Sequence, residues 1–292
     1  MNSNLNYKSV GCLICKSKDY SVVFDYDEPD QYENIAGIKK EGYFRRWVKC
    51  KKCGFYYSLY SREKGVLNEI YKQSYRDNKS DWRKKSPEDV FKTITALPFE
   101  ESESKIRVKW IKDSIKSIFE SGLVEKSNPP FNLLDIGGGN GIFAFEFKKD
   151  DNNWISHIID PDINSKFVES DLKIPVIREY YKSGLFNKKF NLISLIYILE
   201  HLESPISFLN DVKKDMNSNS IIYIEIPDEI NFVHKDKSDD IFNSCHLWMF
   251  SEHSLINFLN EIGFQVFCLN RLKTKRGHYA LTVLASKKIV NI

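Results

Sequence analysis

Long apolar runs are absent from this 292-residue sequence. No run of about 18 apolar residues occurs, so we expect no membrane-spanning helix. Residues 1–6 lack the apolar core of an export signal, from which we expect a cytoplasmic protein. An excess of one charge is also missing, because the net charge of +3 is too small to indicate a nucleic-acid partner by itself. No repeat of solenoid period is present, which argues against a repeat architecture.

Cysteine is also scarce, with six residues in the chain, but four of them form two Cys-x-x-Cys pairs. These pairs are Cys12 with Cys15 and Cys50 with Cys53. Each pair can place two thiolates on one side of a turn, and two such turns make a tetrahedral zinc site. A redox pair and buried free thiols are the alternatives. Because four cysteines leave no open coordination position, the pattern indicates a structural zinc ion rather than a catalytic one.

Apolar and aromatic residues are present in ordinary globular proportions, 42% and 14% of the chain, which suffices for a sizeable core. From residue 128 onward, apolar runs of strand length alternate with helical patterns, and a β-hairpin follows. This alternation predicts an α/β fold with a doubly wound sheet. The predicted strands are 131–136, 154–159, 174–178, 190–195, 221–226, 264–269 and 279–285.

A glycine-rich turn follows the first predicted strand. Asp135 precedes the turn, and Gly137, Gly139 and Gly141 give the spacing Gly-x-Gly-x-Gly. The dinucleotide-binding fingerprint Gly-x-Gly-x-x-Gly would need a glycine at position 142, where Ile142 stands. Glycines at such a turn let a ligand approach the backbone closely, although an ordinary tight strand-to-helix connection is the alternative.

The segment 133–141 resembles the first motif of the class I S-adenosylmethionine (SAM)-dependent methyltransferases. The resemblance implies a Rossmann-like, seven-stranded sheet with an antiparallel last strand. It also implies that the glycines admit the amino-acid end of SAM and that Asp135 orients its ammonium group. Asp160, roughly 20 residues further on, is placed to reach the ribose hydroxyls, with Asp162 or a helix-capping role as alternatives. Glu179, after the third strand, is the candidate residue beside the adenine.

The N-terminal part carries a second resemblance. The Cys-x-x-Cys-Gly of 50–54 and the tyrosines of 55–75 resemble the zinc module of bacterial methyltransferases that act on sugars and polysaccharide precursors, including sugar C-methyltransferases. Those proteins have a four-cysteine module, a tyrosine-rich connector and a SAM domain. The resemblance implies a zinc-binding module at 1–75, a helical connector or lid at 76–127 and a SAM-dependent methyltransferase domain at 128–292.

Two histidine-containing segments extend these resemblances. Residues 198–205 match the motif that follows a strand near the reactive methyl group in SAM-dependent methyltransferases, which makes Glu200 a cofactor-binding candidate and His201 a catalytic candidate. Residues 244–251 resemble the His-x-x-x-Phe-Ser segment of the sugar methyltransferases and make His246 the candidate general base, since a neutral imidazole accepts a proton near pH 7. The alternative for both histidines is a structural role. Sugar C-methyltransferases carry Glu-His where this chain has Cys-His, a departure that counts against C-methylation.

The resemblance implies methyl transfer from SAM to a small molecule, a sugar or nucleotide sugar, by O- or C-methylation in glycan or polysaccharide biosynthesis. A nucleic-acid methyltransferase is one alternative, because basic and aromatic residues alternate over 39–52. We expect that stretch to be a solvated edge strand instead, and contact with the phosphates of a nucleotide-linked substrate is a third interpretation. A non-catalytic protein that keeps the SAM-binding fold is the other alternative. The sequence indicates no oligomeric state.

Overall fold

The computed structural model of the chain describes residues 10–60, 70, 86–161 and 166–288. Residues 76–85 of the predicted connector, and Asp162, lie outside the described residues. The strands are β1 (Tyr20–Tyr26), β2 (Arg45–Cys50), β3 (Tyr56–Tyr60), β4 (Phe131–Ile136), β5 (Trp154–Ile159), β6 (Val176–Ile177), β7 (Phe190–Ile196), β8 (Met216–Pro227), β9 (Trp248–Met249), β10 (Phe264–Lys273) and β11 (Tyr279–Lys287). The helices are α1 (Gln31–Ile35), α2 (Pro87–Thr95), α3 (Glu103–Glu120), α4 (Ile142–Lys148), α5 (Lys166–Ser170), α6 (Pro205–Lys214), α7 (Asn231–His234) and α8 (Glu252–Glu261), with short 3₁₀ turns at Phe99–Glu101, Leu199–His201 and Asp240–Phe242. None of these described helices is both long and apolar enough to cross a membrane.

The chain forms two compact units, each assembled from separate segments. The cysteine unit comprises Met1–Lys84, Leu199–Glu203 and Ile226–Phe258. The glycine-turn unit comprises Lys85–Ile198, Ser204–Glu225 and Leu259–Ile292. The boundaries predicted after residues 75 and 127 stay a prediction, because compact units need not coincide with domains that fold on their own.

Within its described residues, the glycine-turn unit contains a seven-stranded sheet in the order β10-β11-β8-β7-β4-β5-β6. Strands β8, β7, β4, β5 and β6 pair in parallel, whereas β10 and β11 pair antiparallel. Ile136 of β4 lies opposite Ile159 of β5 on one side and Leu195 of β7 on the other. This sheet confirms the predicted α/β methyltransferase fold.

Helix α3 covers this sheet through one apolar stripe. Ser102 caps the helix, since its side-chain oxygen accepts a hydrogen bond from the Lys105 amide at 3.3 Å. The side chains of Val108, Ile111 and Ile115 recur at helical spacing, are buried, and join a core with residues of β4, β7 and β8. Burial of each such aliphatic side chain favours folding by about 2 kcal/mol, so the stripe is core.

The cysteine unit contains a second sheet, in the order β1-β2-β3-β9 among the described residues. Strand β9 comes from the segment 229–250, whose lack of clear periodicity in the sequence is typical of a long loop that is either a functional lid or disordered. It instead pairs antiparallel with β3, with Trp248 opposite Tyr57. The reason is burial, since Met249 packs with Trp47 and Phe242 in one apolar cluster.

Strand β2 corrects the expectation that the basic stretch forms a solvated edge strand. It lies between β1 and β3 and pairs with both. Arg45 is only 2% exposed, donates a 2.6 Å hydrogen bond to the Phe242 carbonyl, and lies within 4 Å of the Asp30 and Glu33 carboxylates. Its guanidinium group can be buried because these acids and the carbonyl replace water. Arg46 forms an ion pair with Asp25 at 2.9 Å.

Candidate functional site

Two carboxylates lie at the ends of neighbouring parallel strands in the glycine-turn unit. Asp135 is near the end of β4 and is 2% exposed, and Asp160 directly follows β5 and is 8% exposed. The Asp135 carboxylate accepts a 2.7 Å hydrogen bond from the Ser194 hydroxyl of β7. The Asp160 carboxylate accepts a 2.8 Å hydrogen bond from the Gly139 amide. The structure therefore brings the predicted residues Asp135, Gly139 and Asp160 together at the carboxyl edge of the sheet, where ligands bind in open α/β sheets.

The glycine turn is held by its own backbone hydrogen bonds. Gly137, Gly139 and Gly141 have φ angles of +76°, +50° and +75°, a region that side chains with a Cβ rarely adopt. The amides of Gly137 and Gly141 donate to the carbonyls of Ile159 and Gly138 at 2.7 and 2.9 Å. All three glycine amides donate hydrogen bonds to acceptors within the protein. The glycines therefore allow the positive φ angles of the turn, and they place no side chain on its surface.

The space around the turn differs from one glycine to the next. A Cβ built on Gly137 would lie 2.4 Å from Ile198 Cδ1, so that position is closed by the protein. A Cβ built on Gly139 would meet no protein atom within 4 Å among the described residues. The side of the turn at Gly139, next to the Asp160 carboxylate, is therefore open to a ligand.

Burial raises the pKa of Asp135 to about 7, from an ordinary value of 3.8. The hydrogen bond from Ser194 and the charge of Arg107 oppose this rise, whereas the charge of Asp160 adds to it. A buried carboxyl with such a pKa is half-protonated near neutral pH in the ligand-free protein. A cationic ligand group beside it would favour the ionised form. Asp135 thus suits a partner that carries an ammonium group.

Sequence reasoning missed a buried ion pair in the same unit. Arg107 of α3 donates from Nε and Nη2 to the two oxygens of Glu225 of β8, at 2.5 and 2.6 Å. The Tyr223 hydroxyl donates to Glu225 at 2.5 Å. Burial alone would raise the pKa of Glu225, but Arg107 lowers it below its ordinary value. One signal was available, since a glutamate stands inside the apolar strand Ile-Ile-Tyr-Ile-Glu-Ile.

Glu179 lies two residues beyond β6 and is exposed. Strand β6 pairs with β5, with Ile177 opposite Ile159, so Glu179 follows the strand next to the one that Asp160 follows. Its predicted position beside the adenine stays a prediction.

The four predicted zinc ligands lie together in the cysteine unit. The sulfur atoms of Cys12, Cys15, Cys50 and Cys53 are all within 4.8 Å of one another. Cys12 and Cys53 are 3.5 Å apart at sulfur, and so are Cys15 and Cys50. A disulfide needs about 2.05 Å. Four thiolates on a tetrahedral zinc ion with bonds of about 2.3 Å are about 3.8 Å apart. The donor set and its spacing therefore fit a zinc ion.

A second cluster in the cysteine unit joins three other predicted residues. One donor atom each from Glu200, His201 and His246 lies within 4.8 Å of the others. The His201 Nδ1 atom lies 2.9 Å from the Cys245 carbonyl, and the His246 Nδ1 atom lies 2.7 Å from the Ile241 carbonyl. Because a carbonyl only accepts, each Nδ1 carries the hydrogen.

With its hydrogen on Nδ1, a neutral imidazole ring has its lone pair on Nε2. Burial lowers the pKa of His201 to about 3, with the neighbouring His246 adding to the effect, so His201 is neutral at physiological pH. Glu200 is fully buried in this unit, whereas Asp135, the glycine turn and Asp160 belong to the other.

One family model matches more than half of this chain. The family model described as "Methyltransferase domain" matches residues 83–269, which is more than half of the chain. No curated protein matches the sequence.

Solved structures of methyltransferases show low sequence identity to this chain. A SAM-dependent methyltransferase from Aquifex aeolicus is 14% identical, with 68% of this chain and 97% of that chain covered and a TM-score of 0.46. The magnesium protoporphyrin IX methyltransferase of Synechocystis PCC 6803 is 11% identical, with 71% and 97% covered and a TM-score of 0.48. The 1,6-didemethyltoxoflavin-N1-methyltransferase of Burkholderia thailandensis is 13% identical, with 70% and 92% covered and a TM-score of 0.45.

The family match runs from α2 into β10 and includes strands β4 to β8 of the seven-stranded sheet. It thus includes the glycine turn and both carboxylates. The predicted enzyme class, a SAM-dependent methyltransferase, is confirmed. This chain belongs to the methyltransferase domain family.

Proposed function

We propose that this enzyme transfers the methyl group of SAM to a hydroxyl or carbon atom of a sugar or nucleotide sugar in glycan or polysaccharide biosynthesis. The observation that carries the cofactor assignment is the pair of buried carboxylates, Asp135 and Asp160, on either side of a glycine turn that is open at Gly139. Asp135 would hold the cofactor's ammonium group, and Asp160 its ribose hydroxyls. Bound SAM supplies a methyl carbon that its sulfonium already makes electrophilic, so the protein must align the acceptor and take its proton.

The sugar acceptor is supported by how the cysteine unit is assembled. The two segments that resemble the sugar methyltransferases, around the cysteines and around His246, belong to this unit, and so does the turn that contains His201. The Leu247 amide donates to the Glu200 carbonyl at 2.7 Å, and the Trp248 indole donates to the Leu202 carbonyl at 2.7 Å. The indole ring of Trp248 also stacks on Phe55, two residues after Cys53, with ring centroids 6.3 Å apart. These contacts join three segments of the cysteine unit that are far apart in the sequence, around residues 55, 200 and 248.

A structural zinc ion on the four cysteines is part of this proposal. The cysteine positions come from two chain segments that close one end of the β1–β2 hairpin, since Cys50 ends β2 and Tyr20 of β1 lies opposite it. An ion that joins the two pairs would fix this end of the sheet, and the closed donor set leaves it no catalytic position.

The nucleic-acid alternative receives little support from the basic stretch. Arg45 is buried between Asp30 and Glu33, and Lys40 and Lys51 form ion pairs with Glu28 and Asp19. Cations that are neutralised in this way offer few contacts to phosphate groups.

The cofactor site is tested by calorimetric titration of SAM into the wild-type protein and into Asp160→Ala and Asp160→Asn. Both substitutions remove the charge, but asparagine keeps an acceptor for the Gly139 amide. We expect a loss of affinity of at least tenfold, about 1.4 kcal/mol, for alanine, and a smaller loss for asparagine. Asp150→Ala, at an exposed aspartate after α4, is the matched control. Equal affinity in wild type and Asp160→Ala would remove the ribose assignment without touching the family.

The acceptor is tested separately by release of S-adenosylhomocysteine on a panel of nucleotide sugars. Turnover on one of them supports the proposal, whereas SAM binding with no turnover on the panel counts against a nucleotide-sugar acceptor. If His246 or His201 is the proton acceptor, its alanine variant should lower kcat by about 10² to 10⁴ and leave SAM binding unchanged. An unaltered kcat would show that the histidine in question is structural.

A further inference from the structure

The cluster of Glu200, His201 and His246 has the donor set of a metal centre. Two imidazole nitrogens and one carboxylate oxygen are the protein ligands of one known class of catalytic zinc site, and the same set binds other divalent first-row metals. One donor atom of each residue lies within 4.8 Å of the others, and His201 Nε2 lies 3.9 Å from Glu200 Oε1. A tetrahedral ion with bonds of about 2.1 Å holds its ligands about 3.4 Å apart, so a modest contraction of the cluster suffices.

The hydrogen bonds behind the two rings are those of metal-binding histidines. In such sites the nitrogen that does not bind the metal donates its hydrogen to a backbone carbonyl or carboxylate, which fixes the tautomer and the ring orientation. His201 donates from Nδ1 to the Cys245 carbonyl at 2.9 Å, and His246 donates from Nδ1 to the Ile241 carbonyl at 2.7 Å. The ring centroids are 4.8 Å apart. The Nδ1 hydrogen of each ring is thus held by a carbonyl, and Nε2 is the nitrogen that would bind a metal ion.

The backbone around the cluster also holds its members in place. His201 and Glu200 belong to a short 3₁₀ turn, and the Leu247 amide, next to His246, donates to the Glu200 carbonyl at 2.7 Å. Side chains of Glu200, His201 and His246 are 7% exposed or less. The cluster is therefore built on two segments that are hydrogen-bonded to each other, which is the rigid support that a metal site requires.

We infer that Glu200, His201 and His246 form a second metal site, which takes one divalent transition-metal ion such as Zn²⁺ or Co²⁺. It differs from the cysteine site, because three protein ligands leave a coordination position open. With the ion bound, both Nε2 lone pairs are used, so the histidines act as ligands and not as proton acceptors. The ion can bind an oxygen atom at this open position, and its charge would lower the pKa of a hydroxyl group bound there. That role for an acceptor hydroxyl rests on the proposed function, whereas the metal site does not.

The test is titration of Co²⁺ into chelator-treated full-length protein under oxygen-free conditions. Cobalt bound to the four cysteines gives intense thiolate charge-transfer absorption, whereas cobalt bound by nitrogen and oxygen gives only weak visible bands. We expect two ions per chain, of which one lacks the thiolate signal. This measurement uses the wild-type chain, and an ion without the thiolate signal supports the site whatever the cysteines bind.

The assignment to particular residues uses two variants and a control. Glu200→Gln and His246→Ala should each lower the affinity for the ion that lacks the thiolate signal by at least tenfold and keep the thiolate signal, which also reports an intact cysteine unit. His253→Ala, at an exposed histidine of α8, should bind both ions as wild type does. Binding of thiolate-coordinated cobalt alone in wild type would overturn the inference. So would a second ion that His246→Ala binds as tightly as wild type.

These experiments distinguish a failure of the metal site from a failure of the proposed function. Absence of the second ion in a protein that turns over a sugar nucleotide removes the metal site and leaves the proposed function. A second ion in a protein that shows no turnover keeps the site and removes the role of its open position.

Discussion

The ionisation of Asp135 offers a direct test of the site at the glycine turn. Burial raises the pKa of this carboxyl from 3.8 to about 7, and Asp160 adds to the rise. A group whose pKa is higher in the folded protein stabilises the fold fully below its unfolded pKa. That contribution is lost as the pH rises through the folded pKa. The ionised Asp135 should therefore cost the folded, ligand-free protein stability across the range from pH 4 to 7.

The size of this effect follows from the shift. One pKa unit corresponds to 1.36 kcal/mol, so the cost is about 4 kcal/mol at pH 8 and about 2 kcal/mol at pH 5. Asp135→Asn removes the ionisation and keeps an oxygen that can accept the 2.7 Å hydrogen bond from Ser194. We expect the variant to be more stable than wild type at pH 8. We expect the difference to shrink by about 2–3 kcal/mol at pH 5.

The assay is urea-induced unfolding of both proteins without SAM at several pH values between 5 and 8. The difference between the two free energies of unfolding isolates Asp135, because the other titrating groups are common to both proteins. Asp150→Asn, the same substitution at an exposed site, is the matched control. If the difference between Asp135→Asn and wild type is constant over this range, the raised pKa and the buried environment that explains it are refuted.

Three further predictions concern the cofactor, the cysteines and the buried arginine. The affinity of the wild type for SAM should fall about tenfold per pH unit below pH 7, because the protonated Asp135 must lose its proton to bind an ammonium group. Calorimetry of Asp135→Asn should show no such dependence on pH. Protein desalted to remove loose ions should contain about one cysteine-bound zinc per chain, which Cys50→Ser should lose together with thermal stability, as metal analysis and melting curves would show. Arg45→Ala should lower the free energy of unfolding by about 3–5 kcal/mol in urea titrations, because it leaves Glu33 buried without its cation.

The controls for these predictions come from neighbouring positions. Arg46→Ala removes an exposed ion pair with Asp25 and should cost at most about 1 kcal/mol, so a loss as large as that of Arg45→Ala would contradict the burial argument. Cys268→Ser lies outside the four-cysteine cluster and should keep the zinc ion. A fully folded wild-type protein without metal would end the zinc proposal.

The fold of the glycine-turn unit could be predicted because its signals are local. An apolar run of strand length, a glycine turn and a helical stripe each depend on neighbouring residues. Asp135 was singled out by the motif that surrounds the glycine turn, and Asp160 by its place after the next strand, roughly 20 residues beyond the glycines. The four cysteines could also be predicted as zinc ligands, since each Cys-x-x-Cys pair is a short local turn. Parallel pairing then brings the ends of β4 and β5 together without further information.

The sequence pattern did not predict contacts between distant segments. The pairing of Trp248 with Tyr57 and the burial of Arg45 depend on how a segment near residue 240 packs on the N-terminal sheet. The ion pair of Arg107 with Glu225 likewise joins residues that no periodicity relates. Glutamate and histidine at positions 200, 201 and 246 could each be singled out as candidates. Only the packing of their segments made them one cluster, because side chains become neighbours through tertiary contacts and not through spacing along the chain.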